Sequence, residues 1–94
     1  SYFTRSGVHV GMSIKEFLKI YPKEKLYSDP DDGLCFIPKK LQSKNKKGSL
    51  FFFIYVVSYS GRQLIEDNYI LPSEGIDNYP KEGYIWLIRF GYFN

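Results

Sequence analysis

The chain holds a single cysteine, Cys35, and a single histidine, His9, so any thiol–imidazole pair would have to join these two. Cys35 stands between Leu34 and Phe36 in an apolar run, the setting of a packed, inert thiol. His9 alternates with Val8 and Val10, so in an extended chain it points away from both. One cysteine closes no disulfide within the chain, and with one histidine it leaves too few soft ligands for a structural zinc site. The acidic turn Asp29-Pro30-Asp31-Asp32-Gly33 offers oxygens to calcium. Counted from Asp29, however, Gly33 and Lys40 fall where an EF-hand loop needs ligands. Glu66, Asp67, Glu74 and Asp77 have no spacing that fixes a carboxylate pair for acid–base work. The expectation is a protein that is not an enzyme, with no catalytic residue, no metal and no cofactor.

Charge offers a second kind of chemistry. Residues 1–47 carry ten basic and five acidic side chains, and residues 48–94 carry three and five, which together give the net +3. Lys39, Lys40, Lys44, Lys46 and Lys47 form a basic loop within the polar stretch 39–48. Such a loop is usually a solvated connection, although it has the charge to contact an acidic protein, a lipid headgroup or a phosphate backbone. The cluster contains no arginine, and Phe51-Phe52-Phe53 fits no RNA-recognition signature, so nucleic acid is not the expected partner.

Ninety-four residues make one domain, 1–94, with a single core. Nine Tyr, eight Phe, one Trp and no Ala favour pleated structure over helix. AT-rich coding would produce a similar bias. The longest apolar run, Leu50–Val57, is far shorter than the roughly 20 residues that cross a bilayer as a helix. The chain opens at Ser1 and its sole methionine is Met12, as expected of a processed or trimmed product.

The elements that must position these groups follow from pattern. Ser13 and Glu16 form a capping box, Met12 and Phe17 a hydrophobic staple, and Ile14, Phe17, Leu18 and Tyr21 one apolar stripe. They predict a short N-terminal amphipathic helix that ends before Pro22. A short strand is expected over 6–10 and a hairpin from strands at 25–28 and 34–37. A polar loop follows over 39–48, then a central strand over 50–59 and a weaker strand over 63–71. Residues 72–83 should be loop, and 84–93 a long strand. Alternation along that last strand would put Tyr84, Trp86, Ile88, Phe90 and Tyr92 on one face and Ile85, Leu87, Arg89, Gly91 and Phe93 on the other. The fold class is α+β: one helix packed on a four- to five-stranded, mainly antiparallel sheet.

The stretch from Ser6 to Pro22, with Gly11-Met12-Ser13 opening the helix, resembles small exported bacterial domains. These include the outer-membrane assembly lipoprotein family and domains with the fold of the β-lactamase inhibitor protein. The resemblance implies a lipoprotein-like or secreted, periplasmic or outer-membrane associated domain that contacts or inhibits another protein. Those folds commonly have a second helix, for which Pro22 and Lys23-Glu24-Lys25 leave little room.

One helix covers only one sheet face, yet both main strands are apolar on both faces. A non-catalytic protein-binding or inhibitor-like module is therefore expected, with Tyr84, Trp86, Phe90 and Tyr92 as interface candidates toward a protein partner or a second copy. Two other functions compete with it. One is a small-ligand-binding or enzymatic domain with a pocket under the helix; the other is weak nucleic-acid or anionic-surface binding through the Lys-rich loop.

Overall fold

The computed structural model describes residues 7–29, 33–58, 75 and 77–93. Among these residues are one short α-helix and an antiparallel sheet, an α+β arrangement. The elements are helix α1 (Ile14–Ile20) and strands β1 (Leu26–Asp29), β2 (Gly33–Phe36), β3 (Ser43–Asn45), β4 (Gly48–Val57) and β5 (Tyr84–Phe93). No helix among the described residues is long and apolar enough to cross a membrane.

Helix α1 begins as its sequence requires. The Ser13 hydroxyl accepts from the Glu16 amide at 3.1 Å, satisfying one of the donors that a helix start leaves without a partner. Ile14 and Phe17 are fully buried, and Phe17 stacks on Phe36 of β2 with ring centroids 4.8 Å apart. Seven residues are too few for a helix stable by itself, so this burial holds it in place.

β4 is the centre of the sheet. β5 pairs along its length on one edge, while β2 meets Ile54–Tyr55 and β3 meets Ser49–Leu50 on the other. Between those two contacts no strand among the described residues reaches Phe52 on that edge, and a side chain fills the gap. The Gln42 amide nitrogen donates to the Phe52 carbonyl at 3.0 Å and to the Pro38 carbonyl at 2.8 Å, while its oxygen accepts from the Phe52 amide at 2.8 Å. One side chain thus makes the paired exchange that a strand residue would make. Gln42→Ala would leave both Phe52 groups without these bonds and should cost about 2 kcal/mol. Urea denaturation gives the cost, and hydrogen exchange should show the Phe52 amide opening first; unchanged protection of that amide would contradict the clip.

Three expectations are corrected. Residues 7–9 form no strand; the chain turns at Val10-Gly11 and meets the start of β5 through a single bridge, Ser13 opposite Tyr84. Gly11 makes this turn with φ +95°, where a side chain would be strained. The Lys-rich stretch is not a loop. It folds into a single 3₁₀ turn, Lys39–Leu41, and then into the β3–β4 hairpin, whose turn is Lys46-Lys47. Finally, β5 does not alternate evenly, because it carries a bulge. Leu87 opposes Tyr55 and Ile85 opposes Val56, which leaves Trp86 as the extra residue. The strand expected over 63–71 lies outside the described residues.

The bulge sets the two faces. Ile85 and Ile88 both enter the core beneath α1, three residues apart, joining Phe36, Ile54 and Val56. On the second face Tyr55 is only 2% exposed and lies cross-strand from the buried Cys35. The Trp86 ring lies 6.3 Å from the Tyr55 ring, and the Arg89 guanidinium stands 5.6 Å above it. Toward β1, buried Gly75 lies so close to Tyr27 and Lys25 that a Cβ there would crowd both.

Candidate functional site

Three of the four interface candidates are open to solvent: Tyr84 is 49% exposed, Trp86 40% and Phe90 57%. The Tyr92 side chain lies outside the description. The candidates do not share one face as even alternation requires. Trp86 leans on Tyr55 of the second face, whereas Phe90 contacts Phe52, which packs against the core, at 5.8 Å. The bulge at Trp86 is the physical reason, since one extra residue reverses the phase of every side chain beyond it. What the structure brings together is a strand, the outermost among the described residues, with apolar rings projecting from both sides. Exposed Val10 stands one residue before Gly11, whose amide donates to the Ile85 carbonyl at 2.8 Å.

His9 and Cys35 are kept apart. The segment that follows His9 meets the outer edge of β5, while Cys35 sits on β2 beyond β4. Two strands stand between them, so the backbones are separated by roughly 14 Å at ordinary strand spacing. The His9 ring nitrogen Nδ1 lies 3.0 Å from the Val10 carbonyl. Among the described residues no group of three or more His, Cys, Asp or Glu side chains could hold a metal ion. Asp31, Asp32, Glu66, Asp67 and Glu74 lie outside them.

The five lysines of the basic stretch are also divided. Lys39 and Lys40 sit exposed on the 3₁₀ turn, and Lys46 and Lys47 at the tip of the β3–β4 hairpin, with Lys44 on β3. Lys39 and Lys40 act electrostatically on Glu24, a residue that sequence inspection did not single out. Burial raises the Glu24 carboxyl above its usual range, and these two cations partly oppose that rise.

Glu24 borders an open groove of about 680 Å³ between α1 and residues 77–81. Leu18, Pro22 and Tyr79 form its apolar lining, with Lys15, Lys19, Lys23 and Lys81 around them. The one signal for it in the sequence is the four-residue spacing of Lys15 and Lys19, which stacks them on the solvent side of α1. Tyr79 anchors the groove wall. Its hydroxyl donates to the Glu24 carbonyl at 2.6 Å, and its ring packs 5.5 Å from Phe36 and 4.4 Å beneath the Lys81 ammonium.

Burial, and then the negative charges of Glu24 and Asp77, push the Tyr79 phenol from its ordinary 10 up to about 12. A raised folded-state pKa favours the protonated form, so its contribution is complete below pH 10 and fades as pH climbs through about 12. The stability advantage of the native chain over Tyr79→Phe should therefore shrink between these pH values. Urea midpoints for both chains at pH 9 and 11.5 measure it, and an equal difference at both would contradict this placement.

Comparison with protein-family models, with curated proteins and with solved structures finds no match to this chain.

Proposed function

We propose that this domain is a non-catalytic protein-binding module whose contact surface is the bulged strand β5. The observation that supports it is the contrast within one strand. Tyr84, Trp86 and Phe90 remain 40–57% exposed while Ile85 and Ile88 between them are buried. Large, stiff aromatic rings offer contact area at low entropy cost, which is why they dominate binding hot spots. The bulge supports the same reading, since bulges re-aim side chains at sheet rims.

Trp86 is the only tryptophan, so its emission reports on this surface alone. A photo-crosslinking residue at position 84 should give one defined adduct, with a partner protein or with a second copy, and Trp86→Ser should abolish it. Burial of the ring in that complex should shift the Trp86 emission to the blue. Light scattering over a concentration series separates the two occupants, because only self-association raises the mass of the purified chain. An adduct pattern indifferent to Trp86→Ser, with emission unchanged, would reject β5 as the contact.

A further inference from the structure

We propose that the groove between α1 and residues 77–81, together with the recess beside it, is a docking site for an acidic peptide segment bearing an apolar anchor residue. It is a separate surface from β5 and does not depend on that strand's role. The groove of about 680 Å³ is continued across Glu24 by a second recess of about 420 Å³, and Lys23 and Glu24 border both. Lys15, Lys19 and Lys81 add charge to the first, and Lys25 and Lys39 to the second. Six lysines thus face two carboxylates, Glu24 and Asp77. A channel so lined concentrates anions, and its size is that of an ordinary ligand cleft.

The floor decides the class of anion. Leu18 and Pro22 leave apolar surface inside the first recess, which a bare phosphate would not use. Glu24 stands between the two recesses, where it repels a chain carrying phosphate at every step but can accept from a peptide amide. An extended peptide satisfies all three demands: acidic side chains toward the lysines, an apolar side chain over Leu18 and Pro22, and a backbone N–H toward Glu24.

Lys23 points the same way. Among the described residues it is the only non-glycine with positive φ, at 66°. Glycine fits that conformation with less strain, so the lysine is held there at some cost to stability. Strain of this kind gathers at binding sites. Its place at the junction of both recesses gives the charge a use.

The test takes the 94-residue chain and a fluorescein-labelled peptide, Glu-Glu-Leu-Glu-Glu-Phe, read by fluorescence anisotropy. Saturable binding that weakens with added salt is expected, and a Lys15→Ser/Lys19→Ser double variant should weaken it about tenfold. Lys23→Gly should weaken binding while leaving the denaturation midpoint equal or higher, which excludes a folding defect as the cause. Lys46→Ser/Lys47→Ser and Trp86→Ser should leave it unchanged. Several results would overturn the site: no saturable binding, equal loss in the hairpin variant, a labelled single-stranded oligonucleotide bound more tightly than the peptide, or hexaglutamate bound as tightly. Loss in Trp86→Ser alone would move the peptide to β5 and reject the groove while sparing the β5 proposal.

Discussion

Alanine at position 83 is expected to destabilise the domain by about 3 kcal/mol or more, lowering its melting temperature by roughly 12 °C or more. Two costs coincide there. Gly83 has φ +120°, a conformation that side chains rarely adopt. A Cβ would also collide with the backbone carbonyl of Val57 and crowd Ile14 at 3.2 Å. Neither neighbour can yield cheaply. Val57 is the last residue of β4 and pairs with Tyr84, while Ile14 opens α1 and donates its amide to the Gly83 carbonyl at 3.0 Å. Gly83 is therefore the point at which helix, β4 and β5 close on one another. Gly11→Ala is the internal control: its φ is +95°, but a Cβ there meets nothing within 4 Å. That variant should lose only the backbone share, about 1–2 kcal/mol. Thermal melts of both variants measure the difference, and equal losses would contradict the steric argument.

Phe17→Ala should cost about 3–5 kcal/mol, a large part of the total stability of a domain this size. Phe17 is fully buried, stacked on Phe36 at 4.8 Å and tilted against Tyr21 at 5.5 Å. Removing the ring leaves a cavity where α1 meets the sheet, and so short a helix depends on tertiary burial for most of its stability. Far-ultraviolet circular dichroism should show helix signal lost together with a lower urea midpoint. Val10→Ala, at an exposed site, should stay within about 0.5 kcal/mol. A Phe17→Ala chain as stable as that control would remove α1 from the core.

Local chemistry made much of the fold legible. Ser13 caps α1 and the helix stops before Pro22, because capping and proline act on immediate neighbours. The β1–β2 hairpin appears where turn-forming residues separate short apolar runs, and β4 and β5 where aromatic and β-branched residues accumulate. The Lys-rich stretch misled because its polarity resembles a loop, whereas Gln42 and the β3 pairing hold it to β4. Local composition does not show which distant backbone groups need a partner.

The candidate sites divide in the same way. Aromatic enrichment in the last strand is visible in the residues alone, and three of those rings stand exposed. Their faces are not visible, because the bulge at Trp86 arises from the match between β4 and β5 and not from β5 itself. Lysines close in sequence, Lys39 to Lys47, are spread between a 3₁₀ turn and a hairpin tip. Lysines distant in sequence, from Lys15 to Lys81, gather around Glu24.

The sequence alone determined where α1 is capped and stopped, where the β1–β2 hairpin lies and where β4 and β5 extend, since those choices depend on residues within a few positions of one another. It also determined that Cys35 and His9 are the only thiol and imidazole available. Only the tertiary structure decided that two strands keep those groups apart, that a bulge aims the aromatic rings to both sides of β5, and that cations from four segments line two adjoining recesses. Each of these is a long-range contact, fixed by how the strands register and how α1 packs on them.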